Sequence, residues 1–268
     1  MHLFLNPNSG LILMLYNYFL SEALKIADAA SEEVLRIYLT DFKVDYKADE
    51  SPITAADLAS QRVIVEGLRE LSREIPVLSE EGADIPWSER KQWHRFWLID
   101  PIDGTKDFTQ RTDEFTVNIA LIEDGVPVLG VVTAPALKEA YWGAQGEGAF
   151  KRDRTGAVCR IFVAEPTDTV RVVASKNHLN DDTKAFIEKF ASHELVQAGS
   201  SLKFCQIAEG HADIYPRLGP TCEWDTGAAH AVLNAAGGKV ETLEGKSLVY
   251  GKEDVLNPFF VASGAWYR

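Results

Sequence analysis

The run Trp97-Leu98-Ile99-Asp100-Pro101-Ile102-Asp103-Gly104-Thr105 changes character in its middle. With Phe96, its first three residues read as a short apolar strand. Two carboxylates follow, three residues apart, on a turn. Pro101 disfavours the helical region for Asp100, so Asp100 stays extended at the strand end. Gly104 lets the backbone approach a ligand closely. If Asp100 and Asp103 turn to one point, the Ile102 carbonyl between them can face it too. That set of hard oxygens suits Mg²⁺, which prefers carboxylates, carbonyls and water. The N–H groups after Asp103 could then receive a phosphate. An Asx turn with a helix cap would use the same residues, and the nonamer alone leaves both readings open.

Upstream of this run the apolar period is helical. Leu20, Leu24, Ala27, Val34 and Tyr38 fall near one stripe, which predicts a helix over 15–39. A second helix follows Ser51-Pro52-Ile53 and runs to about residue 71, with Thr54 as cap and Asp57 three residues on. The period then falls to two. Strands are predicted at 76–78, 96–99, 139–142 and 148–150, with a hairpin at 115–122 and 126–133. Beyond residue 150 the elements alternate. Strands at 170–174, 194–197, 212–215 and 239–242 are separated by helices at 181–190, 201–209 and 225–236. The expected organisation is an N-terminal α+β lobe over 14–150, which carries the candidate metal ligands Asp100 and Asp103, and a C-terminal α/β lobe over 151–268, the two joined as one unit. Residues 1–13, with Asn6-Pro7-Asn8-Ser9-Gly10 as a break, are expected to lie outside the fold. Met14 is an alternative start to Met1.

The chain has 268 residues, 46% of them hydrophobic and 25% charged, enough for a sizeable core rather than a disordered chain. Against 27 Lys and Arg stand 40 Asp and Glu, a net charge of −13. That balance excludes a broad surface for nucleic-acid polymers or anionic membranes. A small anion would need a local positive device. The three cysteines, Cys159, Cys205 and Cys222, have no metal-ligand spacing and fit a reducing cytoplasm. No secretory signal or membrane span is expected, since the first basic residue is Lys25 and the break interrupts the early apolar run.

Nucleophile elbow, P-loop, zincin and dinucleotide motifs are missing from the sequence, and the six histidines are scattered. Besides Asp100 and Asp103, three acidic residues stand where an apolar segment begins or ends: Asp57, Glu80 and Asp225. Taken singly, each also reads as a cap or a solvated carboxylate.

Asp100-Pro101-Ile102-Asp103-Gly104-Thr105 resembles the D-P-(I/L)-D-G-T signature of the inositol monophosphatase superfamily. Trp224-Asp225-Thr226-Gly227-Ala228-Ala229, continuing through Gly237-Gly238, resembles its second signature, and Leu78-Ser79-Glu80-Glu81 its acidic segment. Residues 51–57, 104–108, 114–122, 199–205 and 215–217 resemble the bisphosphate nucleotidase branch. Ile102 stands for a commoner Leu and Asp107 for a commoner Glu. The resemblance spans roughly residues 14–268. It implies an α/β fold (α+β by some schemes), a layered α/β/α/β/α sandwich. It implies a lithium-sensitive, Mg²⁺-dependent phosphatase with two or three ions per site. The substrate would be adenosine 3′,5′-bisphosphate, and also its 5′-phosphosulfate relative, in sulfur metabolism. An inositol monophosphatase or sugar bisphosphatase is the alternative, and a non-catalytic sensor the remote one. The implied metal positions are Glu80, Asp100, the Ile102 carbonyl, Asp103 and Asp225. Asp57 and Thr105 orient the attacking water, with Glu80 beside them. Gly104 and Thr105 cradle phosphate, and His178, Ser200, Lys203 and Arg217 meet the nucleotide. The expected location is the cytoplasm, with peripheral inner-membrane attachment open by analogy, and the expected state is a monomer or weak homodimer.

Overall fold

The structure, a computed structural model, describes residues 8–47, 50–174 and 180–267. The N-terminal half opens with α1 (Asn8–Tyr38), β1 (Val44–Tyr46), β2 (Pro52–Thr54), α2 (Ala55–Leu71) and β3 (Val77–Ser79). It continues through α3 (Trp87–Arg90), β4 (Arg95–Asp103), α4 (Thr105–Gln110), β5 (Thr116–Glu123) and β6 (Val126–Ala134). β7 (Glu139–Ala144), β8 (Gly148–Arg152) and β9 (Val158–Ile161) complete a seven-stranded sheet in the order β3 to β9. Its pairs are antiparallel except β3 with β4.

Both faces of this sheet are covered, so its strands read as almost continuous apolar runs. Along β4 the side chains alternate between two cores. Trp97 and Ile99 join Ala23, Ala27, Ala30 and Val34 of α1 and Ile64 and Leu68 of α2. Phe96 and Leu98 join the opposite core. That second core is completed by the C-terminal half: β10 (Val170–Ala174), α5 (Asp181–Ile187), β11 (His193–Gln197), α6 (Leu202–Ala208) and β12 (Ile214–Arg217), then α7 (Gly227–Ala235), β13 (Gly238–Thr242) and β14 (Phe260–Gly264). The second sheet runs β11-β10-β12-β14-β13. Helices α6 and α7 lie between the sheets, and α5 packs on the far side through Phe186 and Ile187. The layers are α/β/α/β/α, as the resemblance implied.

Two expectations need correction. Residues 1–7 lie outside the described residues, but α1 begins at Asn8 and so runs through 8–13, read as lying outside the fold. Within α1, Gly10–Tyr38 is long and apolar enough to cross a bilayer by length and composition alone, a test that a buried core helix passes equally. Its inner stripe (Ala23, Ala27, Ala30 and Val34) is wholly buried in protein, while Leu11, Met14 and Tyr18 are exposed. Finally, the division at residue 150 cuts β8, because the first sheet continues to Ile161.

Candidate active site

β4 delivers the two central carboxylates by breaking its own register. Asp100 stands opposite Asn118 and Asp103 opposite Thr116, three residues on one strand against two on the other. In a regular strand, residues three apart point to opposite faces. The extra residue, at the position where Pro101 lacks a donor, brings both side chains to one side. Ser60 of α2 pins the bulge by donating to the Pro101 carbonyl at 2.8 Å. Asp225, just before α7, completes the group: Asp100, Asp103 and Asp225 each present an oxygen within 4.8 Å of the others.

These carboxylates are held against their chemistry. Burial raises Asp100 well above the usual range, and the charges of Glu80, Asp103 and Asp225 raise it further. Asp103 is raised to about 6 by burial, with Lys203 opposing. Burial and Asp103 push Asp225 up to about 8, although the Cys222 N–H donates to it at 2.8 Å. Mutually repelling buried carboxylates with oxygens at one point are the donor set of a hard divalent cation. Glu80, after β3, is within hydrogen-bonding reach of Asp100. It also pairs with Lys47 at 2.8 Å, and the same ammonium meets Glu81 at 2.6 Å. Burial opposes the charge on Lys47, but the two carboxylates prevail and raise it.

Asp57 stands at the start of α2 in the expected capping box. Its Oδ2 accepts from the Thr54 N–H and hydroxyl, both at 2.7 Å. Its Oδ1 accepts from the Thr105 hydroxyl at 3.2 Å, which also lies 3.2 Å from the Ile102 carbonyl. Gly104 at φ 89° lets the chain turn from β4 into α4.

The cluster opens into a cleft of about 470 Å³ whose walls include Glu80, Asp103, Gly104, Thr105, Ser200 and Lys203. Behind it, a recess of about 70 Å³ is lined by Asp103, Lys203, Tyr215, Arg217 and Asp225 among others. Lys203 is 8% exposed and stands over the Tyr215 ring, its pKa lowered to about 8 by burial although Asp103 opposes the shift. Arg217 donates to the Pro220 carbonyl at 2.8 Å, and its buried Nε has no partner among the described residues. Ser200 differs from expectation. Its hydroxyl lies 2.9 Å from the Asp103 carbonyl and 2.8 Å from that of Glu114. Its single proton is thus taken by backbone and is not offered to an anion. His178 lies outside the described residues.

Residues 16–263 match the model of the inositol monophosphatase family. The chain belongs to the inositol monophosphatase family. The 3′(2′),5′-bisphosphate nucleotidase CysQ of Salmonella typhimurium is 47% identical over 90% of this chain and 98% of that protein. CysQ of Escherichia coli K12 is 45% identical over 91% of this chain and 99% of its own length. Among solved structures, CysQ of Bacteroides thetaiotaomicron, a bacterial member of the family, superimposes with a TM-score of 0.83 at 41% identity. That match covers 93% of this chain and 99% of that one.

Several supporting residues of this family member carried no sequence signal of their own. Lys47 sits in a short loop with no motif. Glu223 is fully buried and accepts from the N–H groups of Gly251 and Lys252 at 2.8 and 2.9 Å, fixing the loop beside Asp225. Arg90 donates to the carbonyls of Ile85, Lys252 and Glu253, tying that loop to the segment after Glu80. Adjacency of Glu223 to Asp225 was the one available hint.

Proposed function

We infer that this protein is a metal-dependent phosphomonoesterase, a 3′(2′),5′-bisphosphate nucleotidase that releases the 3′-phosphate of adenosine 3′,5′-bisphosphate. The 5′-phosphosulfate relative is a second substrate of the same site. The observation that carries this reading is the side-by-side placement of two opposed charge clusters. Asp100, Asp103 and Asp225 converge on one point, and Asp103 and Asp225 of that group line the same recess as Lys203 and Arg217. The extended similarity to the named nucleotidases supports the same substrate class.

Glu80, Asp100, the Ile102 carbonyl, Asp103 and Asp225 would hold Mg²⁺, two or three ions, which supply positive charge to the phosphate and acidify the attacking water. Thr105 works on that water. Its proton is directed to Asp57 or the Ile102 carbonyl, so its oxygen is left as an acceptor and aligns the water by accepting a hydrogen bond from it. Asp57 is fixed by Thr54, which keeps the Thr105 hydroxyl in one rotamer. Gly104 keeps side-chain bulk away from the cleft, where the first N–H groups of α4 face a phosphate. Lys203 and Arg217 take the second phosphate by charge-assisted bonds. Ser200 positions the turn by clasping the carbonyls of Asp103 and Glu114.

A substrate panel tests this. Adenosine 3′,5′-bisphosphate, inositol 1-phosphate and fructose 1,6-bisphosphate should be compared with and without chelator. The bisphosphate nucleotide should have the highest kcat/KM, and chelation should abolish all turnover. Preference for inositol 1-phosphate would overturn the nucleotidase reading, and full activity in chelator would overturn the metal site.

A further inference from the structure

Thr116, Asn118 and Ser201 close a buried ring of three hydrogen bonds, and none of them is more than 1% exposed. Asn118 Nδ2 donates to Thr116 Oγ1 at 3.0 Å, and Ser201 Oγ donates to Asn118 Oδ1 at 2.8 Å. The two hydroxyl oxygens are 2.8 Å apart. A hydroxyl has one proton, and that of Ser201 is committed to Asn118. Thr116 must therefore donate to Ser201. Within the ring each group donates once and accepts once, all in the same sense.

The ring joins two halves of the site. Thr116 and Asn118 lie on β5, opposite Asp103 and Asp100 in register. Ser201 immediately precedes α6, which carries Lys203. The Ser201 backbone N–H is directed at the Asp103 carboxylate. One residue earlier, the Ser200 hydroxyl would lie only 2.1 Å from a Cβ at position 104, so the α6 entry is seated tightly on the Asp103-Gly104 turn. A buried polar network closed in one sense specifies one arrangement, whereas apolar contacts alone tolerate sliding.

We propose that the Thr116–Asn118–Ser201 ring is a positioning device that holds α6, and with it Lys203, at a fixed separation from the metal-site carboxylates, and thereby sets the preference for bisphosphates over monophosphates. This rests on the reading of Lys203 as a second-phosphate partner. Asp100 and Asp103 keep the backbone pairing of β4 with β5, so a loosened ring displaces the second-phosphate contact more than the reacting one.

Thr116→Val removes both the donation to Ser201 and the acceptance from Asn118 while keeping the shape. For adenosine 3′,5′-bisphosphate, kcat/KM should fall at least about tenfold, mostly through KM, the size of one charge-assisted bond. For 3′-AMP the loss should stay under about threefold, because uniform binding there lacks the second phosphate. Thr116→Ser should restore both. Ser201→Ala, which keeps the N–H to Asp103, should repeat the pattern and replaces Thr116→Val if that variant does not fold. In metal-free protein, amide exchange across 202–208 should speed up in Thr116→Val and not in Thr116→Ser. Lys203→Met should itself lose the bisphosphate selectively, and adding Thr116→Val to it should cost nothing more on that substrate. Equal losses of Thr116→Val on both substrates, or losses that multiply with Lys203→Met, would overturn the ring's role and leave the second-phosphate reading standing. Indifference of Lys203→Met to the substrate would overturn that reading and the proposal with it.

Discussion

The Thr105 hydroxyl has one proton and two acceptors within 3.2 Å, the Asp57 carboxylate and the Ile102 carbonyl. Either way the proton points inward and the oxygen faces the cleft as an acceptor. Thr105→Ala should therefore depress kcat by about two orders of magnitude, with KM and product affinity nearly unchanged, because orienting a nucleophile is a transition-state effect. Steady-state kinetics with product inhibition checks this, and a variant that raised KM alone would make Thr105 a substrate-binding residue. Arg217 is the other residue with an open valence, since its buried Nε has no partner among the described residues. Arg217→Ala should cost about 10- to 150-fold in kcat/KM on adenosine 3′,5′-bisphosphate, the span of a charge-assisted bond, and little on 3′-AMP. An equal loss on both would make Arg217 a support of the fold. The acidic residues at strand ends and helix starts were legible at this scale because each interrupts an apolar segment. Ser200 was not: a hydroxyl beside a turn looks the same whether it faces ligand or backbone. Nor was Lys47, whose two carboxylate partners are more than thirty residues away.

Among the elements, α2 shows how much function a cap can carry. Thr54 closes the first turn, and its hydroxyl and N–H both hold the oxygen of Asp57 opposite to the one that faces Thr105. Thr54→Ala should lower stability by about 1 kcal/mol through the lost cap. For a protein of this size, Tm should fall by roughly 2–4 °C. It should also lower kcat, less than Thr105→Ala does, because Asp57 keeps its bond from the backbone. A lower Tm with unchanged kcat would show that the cap stabilises the helix without aiming Asp57. This capping box was readable from Thr54 and Asp57 alone, and the helix end near residue 71 followed from the period. The β5–β6 hairpin was readable too, because Glu123-Asp124-Gly125 interrupts two apolar runs. β14 went unread. It is five residues long, buried on both faces, and lies between β12 and β13, so neither alternation nor a local turn marks it. β1, β2 and β9 are three or four residues each and gain their partners only in the fold.

At the scale of the molecule, the layers explain why an acidic protein of net charge −13 collects still more negative charge at one point. Asp57, Glu80, Asp100 and Asp103 come from the half that builds the first sheet. Asp225 comes from the other half, at the start of the helix layer between the sheets. Closing those layers brings the carboxylates together, so folding the chain without a cation would carry an electrostatic cost. The sign follows from linkage. Asp103 at about 6 and Asp225 at about 8 lie above the ordinary carboxylate range in the folded state. Between that range and about pH 8 the folded protein holds protons that the unfolded chain releases, so stability falls as pH rises through the interval. His230, lowered to about 3 by burial, acts oppositely, but only as pH falls below about 6.5, where the unfolded imidazole takes a proton. Lys203, lowered to about 8, also acts oppositely but only toward the top of the range, so in the window from about pH 6.5 to 7.5 the carboxylates dominate. In chelator, Tm should fall by a few degrees from the lower to the higher pH. Excess Mg²⁺ competes with protons for the same oxygens, so it should raise Tm more at the higher pH and flatten the profile. Asp225→Asn should reduce the slope in chelator, because it deletes one of the carboxylates that burial and its neighbours raise in the folded state. A metal-free Tm that is flat or rises across this window would mean that the cluster relaxes apart without its cation, and the site would then be assembled by metal rather than by the layers.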